Sequence, residues 1–235
     1  METDSRLVTI LCSVYNSEKW ISGYLDSINN QIFKNFDIVF VDANSKDNSL
    51  QLIKDYKFRT GINKVILEFK ERINVYEAWN EAVRVSTTPY VMNVNTDDRL
   101  YPAAISTYID YAHASPEADI FYGTCVVVGD AEHEQIQGLF QWPEYTHEVL
   151  LQMCIGGPFP MLKKSSIIED GLFNPKYTIS GDYEMWLRMS KNGRKFCRVI
   201  ESVGSYYRNP TGISIDKKDF EEHVRQDTEL RELYK

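Results

Sequence analysis

Four times in the first hundred residues, a short apolar run gives way to a polar turn and then to an amphipathic stripe. Leu7-Val8-Thr9-Ile10-Leu11-Cys12 is almost continuously apolar, as a strand covered on both faces must be. Phe36 to Val41, Lys64 to Phe69 and Pro89 to Val94 repeat the pattern. Between them, Trp20, Ile21, Tyr24, Leu25 and Ile28 recur at helical spacing, as do Leu50, Ile53 and Tyr56, and then Val75, Ala78, Trp79, Ala82 and Val83. Asn16 or Ser17 can cap the first of these helices and Asp47 the second. This alternation predicts an α/β chain of Rossmann-like type. Its central sheet is mostly parallel, its crossovers are right-handed and its helices lie on both faces.

Sheets of this kind bind ligands beyond the carboxyl ends of their strands. Cys12-Ser13-Val14-Tyr15, Asp42-Ala43-Asn44-Ser45 and Asn95-Thr96-Asp97-Asp98 are therefore expected on one rim. There Tyr15 offers an aromatic face for a base or ribose, and Asp42 can accept hydrogen bonds from a base imide or from ribose hydroxyls. Arg72 is placed to meet phosphate. Asn74 stands where the chain turns into the third helix, and asparagine tolerates left-handed backbone. Asp97 and Asp98 are the more telling pair, because adjacent carboxylates at the mouth of a buried strand raise each other's pKa unless a positive charge intervenes. A hard divalent cation relieves the conflict and keeps open positions for phosphate.

Beyond Asp98, Tyr101-Pro102 opens a helix to about Ala114, and Ile120 to Val128 reads as a strand. Gly129 to Trp142 suits a hairpin. Gly156-Gly157-Pro158-Phe159-Pro160 is a shaped loop whose glycines permit close backbone approach, on what is expected to be the acceptor side. Ser180 is the expected cap of a helix carrying Asp182 in its first turn. Trp142, Tyr145 and Trp186 are aromatic candidates for stacking on a bound ligand, with core packing favoured for Trp186.

At 235 residues the chain suits one domain. A net charge of −8 leaves no electrostatic footprint for nucleic acid. Cys12, Cys125, Cys154 and Cys197 are scattered among apolar residues, which suggests reduced core thiols. The acidic start Met1-Glu2-Thr3-Asp4 does not read as a secretory leader. No apolar stretch approaches the roughly 20 residues that span a bilayer. A cytoplasmic location is expected.

Five ordered motifs resemble family 2 glycosyltransferases, which are inverting and have the GT-A fold. They are Leu7 to Asn16, Val41 to Asp47, Asn74 to Asn80, Asn95 to Asp98 and Gly181 to Arg188. The likeness implies a GT-A domain over 1–215, with a nucleotide-binding half (1–100) and an acceptor half (101–215), followed by a charged, helix-compatible tail (216–235). It implies that Ser13, Tyr15 and Asp42 contact the nucleoside and that Asp97 holds the ribose or the metal. Asp98 would ligate Mg2+ or Mn2+ at the diphosphate. Asp182 would be the catalytic base, with Glu184 as the fallback. The donor would be a UDP- or GDP-sugar and the acceptor a glycan or other hydroxyl.

The chain departs from many relatives in having Ala43 where they place an acid. It also has no histidine in Tyr207 to Ser214, where some relatives offer a metal ligand. His113, His133, His147 and His223 lack ligand spacing and are expected to be structural or exposed. The tail is expected to be a solvated helix, with a homodimer contact or a membrane-surface contact as the other readings. A nucleotidyltransferase or a degenerate sugar-binding module would share the acidic pair. Ser13-Val14-Tyr15-Asn16-Ser17-Glu18 lacks the Gly-rich basic loop of the former, and joint retention of Asp42, Asp97, Asp98 and Asp182 argues against the latter.

Overall fold

In a computed structural model, residues 6–212, 216 and 219–235 are described. The chain begins with strand β1 (Val8–Val14), helix α1 (Glu18–Asn29), β2 (Asp37–Asp42), α2 (Ser49–Asp55), β3 (Asn63–Glu68), α3 (Val75–Val85) and β4 (Tyr90–Asn93). It continues through β5 (Arg99–Leu100), α4 (Ala104–Ala114), β6 (Ile120–Val128), β7 (Ile136–Phe140), α5 (His147–Gln152) and β8 (Met161–Lys163). It closes with α6 (Lys164–Glu169), α7 (Gly181–Lys191), β9 (Phe196–Tyr207) and α8 (Phe220–Leu233).

Among the described residues the sheet runs β3-β2-β1-β4-β8-β6-β9-β5, with β7 paired to β6 as a hairpin. The first four strands are mutually parallel. The second half departs from the expected parallel order, because β8 is antiparallel to both β4 and β6, and β5 is antiparallel to β9.

The period of two along each strand divides the interior between two layers. Val8, Ile10, Cys12 and Val14 of β1 face the layer of α1 and α4, whereas Leu11 faces that of α3 and α7. In β2, Ile38 and Phe40 join the first layer while Val39 and Val41 join the second. Each such fully buried side chain contributes about 1.5–3 kcal/mol, so a one-residue slip of either strand is strongly disfavoured.

All four cysteines are free thiols. The C-terminal helix does not stand off as a solvated tail. Leu230 is wholly buried in the second layer and Gln226 is 1% exposed. The charged residues that suggested solvation occupy its outer face, where Arg225 pairs with Glu222 and Glu229.

Candidate active site

The loops after β1 and β2 are stitched edge to edge by their own side chains. Asn16 and Asn44 adopt left-handed backbone (φ 49° and 65°), which asparagine supports better than most residues. Asn16 Oδ1 accepts from Lys46 N at 2.8 Å, and Ser45 Oγ accepts from Asn16 N at 3.1 Å. Asp47 bridges both loops, accepting from Glu18 N (2.9 Å) at the start of α1 and from Ser49 N (3.0 Å) at the start of α2. Asn74 does not take the left-handed turn expected of it. At φ −78° it caps α3 through a reciprocal box with Glu77, which fixes an extended backbone instead.

This rim forms one wall of a cleft of about 890 Å³, and Ser13, Tyr15, Arg72 and Asp97 all line it. The Arg72 guanidinium lies over the Tyr15 ring, 4.3 Å from its centroid, so cation and aromatic face the cleft together. Asp42 ends β2 level with Val14 but is only 3% exposed, just behind the lining. Its Oδ2 accepts from Ser45 N at 3.2 Å, and its Oδ1 is buried without a described partner.

The acidic pair divides sharply. Asp97 lines the cleft, where its Oδ2 accepts from Asn209 Nδ2 at 2.9 Å. Asp98 is fully buried: its Oδ1 accepts from Tyr207 N at 3.0 Å, and its Oδ2 has no described partner. Burial, reinforced by the neighbouring Asp97 charge, pushes the Asp98 carboxyl well above the usual range. Asp97 opens on the cleft, and Asp98 keeps one buried oxygen without a described partner, so both carboxylates of the pair are candidates to hold a cation.

Arg99, which the sequence reading passed over, and His133, expected to be structural or exposed, hold this turn. Arg99 donates to the carbonyls of Thr96 (3.2 Å), Asp98 (2.8 Å) and Trp20 (3.1 Å). It lies across Gly23, where an added Cβ would come within 2.7 Å of it. His133, on the β6–β7 connection, is 2.9 Å from the Asp97 carbonyl through Nε2 and 2.6 Å from Ser205 Oγ through Nδ1. A carbonyl only accepts, so Nε2 carries the proton and Nδ1 accepts from the serine. Burial lowers the His133 pKa, which favours this neutral form.

The opposite wall comes from α3, α7 and α8. Asp182, in the first turn of α7, lines the cleft. Its Oδ1 accepts from Tyr183 N at 2.9 Å and lies 3.2 Å from the Tyr76 hydroxyl. Burial raises its pKa against the pull of those two bonds. Glu184 is not an alternative base. It is 2% exposed and is bound by Arg188 at 2.9 Å through both oxygens and by the Tyr234 hydroxyl at 2.6 Å.

Gly156 and Gly157, expected on the acceptor side, are not among the residues that line this cleft. Their positive φ values bring them beneath the Trp186 and Trp142 indoles, where a Cβ would lie 2.8 Å from each Nε1. Trp186 is a core residue, and Tyr145 stacks on Phe196 at 4.0 Å rather than facing a ligand. In the histidine-free stretch after β9, Tyr207, Asn209, Thr211 and Gly212 line the cleft. Ile213 and Ser214 lie outside the described residues.

Solved structures share this shape. Staphylococcus aureus TarS 1-349 in complex with UDP superposes with a TM-score of 0.75 at 19% identity, over 95% of this chain and 65% of that one. The mannosyltransferase PcManGT from Pyrobaculum calidifontis, in complex with GDP-Man and Mn2+, gives 0.73 at 18% identity, over 95% and 63%. The fold is therefore GT-A, a mixed α/β domain with a curled central sheet. The profile of Glycosyl transferase family 2 matches residues 9–165, and the chain belongs to that family.

Its relatives are named glycosyltransferases. An uncharacterized one from Methanocaldococcus jannaschii is 25% identical over 89% of this chain and 73% of its own length. The UDP-Glc:alpha-D-GlcNAc-diphosphoundecaprenol beta-1,3-glucosyltransferase WfaP of Escherichia coli is 26% identical over 97% and 86%. The chain spans only 27% of the length of Escherichia coli chondroitin synthase, at 26% identity. No helix among the described residues is long and apolar enough to cross a membrane.

Proposed function

We propose that this glycosyltransferase moves a sugar from a nucleoside-diphosphate donor to a hydroxyl acceptor with inversion, in glycan synthesis. The observation that carries the reading is that Asp97 and Asp182, 85 residues apart in the chain, line one cleft. The donor lies along the rim of β1 and β2, with its base against Tyr15 and Ser13 and its diphosphate toward Arg72 and Asp97. The buried, unpartnered Asp42 Oδ1 suits the N–H of a base imide. A UDP- or GDP-sugar is the expected donor. TarS complexes with UDP and UDP-GlcNAc, the PcManGT complex with GDP-Man and the UDP-Glc of the WfaP name support it.

Among the described residues no cluster of three or more His, Cys, Asp or Glu could hold a metal ion. The donor set fits Mg2+ or Mn2+ all the same. Such an ion is commonly held by one or two carboxylates, substrate phosphates and water, and Asp97 and Asp98 are its candidate carboxylates. When bound, it would stabilise negative charge on the departing diphosphate. Arg72 supports the phosphates, and Asn209 orients Asp97 by holding its Oδ2.

Asp182 would take the proton from the acceptor hydroxyl as that oxygen attacks the anomeric carbon from the face opposite the leaving group. Calorimetry with UDP and GDP, with and without Mn2+, followed by mass measurement of products from a nucleotide-sugar panel, tests the reading. Cation-dependent binding of one nucleotide and a single transferred sugar are expected. Absence of nucleotide binding would remove the proposal.

A further inference from the structure

The matched family profile ends at residue 165, yet the wall that carries Asp182 depends on a helix 55 residues further on. Gln226 of α8 is 1% exposed and uses every polar atom of its side chain. Its Oε1 accepts from Ile179 N at 3.1 Å and Ser180 N at 3.0 Å. Its Nε2 donates to Thr178 Oγ1 at 3.2 Å and to Glu222 Oε1 at 2.7 Å. The next residue, Asp227, accepts from Ser180 Oγ at 2.6 Å. Ser180 holds the cap position of α7 without capping it, because its hydroxyl is drawn to α8 instead. From α3, the Tyr76 hydroxyl donates to the Ile179 carbonyl at 2.5 Å.

The chain entering α7 is thus pinned by side chains from two other helices, just before the residue that faces the cleft. A buried amide that accepts from two successive backbone N–H groups fixes both the height and the rotation of the turn that follows. Neither N–H has water to replace it.

We propose that Gln226, assisted by Asp227, is a positioning residue that sets the first turn of α7 and so aims the Asp182 carboxylate at the acceptor. This rests on the reading of Asp182 as base. A displacement of about 1 Å at a reacting group costs roughly 10²-fold in rate, whereas none of the Gln226 hydrogen bonds reaches Ser13, Tyr15 or Arg72 of the donor rim.

Gln226→Met keeps the length and volume of the side chain and removes its hydrogen bonds. With a nucleotide-sugar and acceptor found by the panel above, kcat should fall by about 10- to 100-fold. Donor KM, and calorimetric affinity for the nucleoside diphosphate with Mn2+, should stay within about twofold, and amide exchange at Ile179 and Ser180 should accelerate. Should that variant not fold, Ser180→Ala removes only the hydroxyl bond to Asp227. It should lower kcat several-fold with the same unchanged donor affinity. Unchanged kcat in Gln226→Met, or equal loss of kcat and donor affinity, overturns the positioning role. Unchanged turnover in Asp182→Asn strikes the base assignment instead, and the exchange rates at Ile179 and Ser180 then still report whether Gln226 holds the turn.

Discussion

The two walls of the cleft are built by different means. The rim after β1, β2 and β4 stands on parallel strands whose backbone ladders place its loops, and short Asn, Ser and Asp contacts between neighbouring loops finish it. The wall of α7 is placed by side chains distant in sequence: Tyr76, 106 residues before Asp182, and Gln226, 47 residues after Ile179. A ladder of many weak equivalent bonds tolerates single losses. A wall hung from a few buried polar groups does not, since each carries a desolvation penalty when its partner is removed. The wall that would hold the donor is therefore robust, and the one that would hold the reacting carboxylate is sensitive.

The sharpest way to break this contrast is Asp182→Asn. Loss of a general base is expected to lower kcat by about 10²- to 10⁴-fold. Calorimetric donor affinity should be nearly intact, and parallel loss of both would merge the two walls into one functional unit. Next comes the pair at the β4 turn. Asp97→Asn should abolish the cation dependence of nucleotide binding. Asp98→Asn should weaken that dependence as well, because its Oδ2, buried without a described partner, is the other candidate for the ion. An unchanged Mn2+ titration in either variant would remove that residue from the ligand set.

The pH profile sharpens the same division. Asp182 faces Tyr76 of α3 and Asp227 of α8, with Cys154 near by, and burial holds its pKa above the ordinary carboxylate value. A base acts only when unprotonated, so transfer should be full above that raised pKa and fall as pH drops through it. The acid limb of kcat/KM should lie above pH ~4, the ordinary carboxylate value. A limb at or below it would remove Asp182 from the profile.

Gly181→Ala is a smaller perturbation of the same wall. The new Cβ would sit 2.8 Å from the Tyr76 ring, and overpacking of this kind costs about 1–3 kcal/mol. A lowered Tm with a several-fold fall in kcat is expected. The smallest effect belongs to the robust wall. Asp47→Ala removes acceptors for Glu18 N and Ser49 N, worth about 1 kcal/mol, and should lower Tm with kcat unchanged.

The same division decides what the amino-acid pattern alone could disclose. Strands β1, β2 and β4 were readable because a strand covered on both faces must be apolar throughout, and their carboxyl ends then fell on one rim; β3, a half-exposed edge strand, showed through its Val65-Ile66-Leu67 centre. The antiparallel β8 is only Met161–Lys163, too short for any periodicity. That Asp97 rather than Asp98 faces the cleft was beyond the pattern, because the choice is made by Tyr207 N and Asn209 from the far side of the sheet. Gly156 and Gly157 misled because glycine permits close approach without naming the partner, here two indoles. For α8 a signal was present in Gln226, a polar residue one helical turn before Leu230 on the same face. Its charged neighbours hid it.

The order in which α8 appears has a consequence during synthesis. Translation proceeds from the amino end at about 5–20 residues per second, so β1 to β4 leave the ribosome before residue 226 has been joined to the chain. A nascent chain at that stage can assemble the side of the cleft that would cradle the nucleotide while α7 still lacks its second anchor. The carboxylate proposed as base would therefore reach its aimed position only after α8 has emerged and docked.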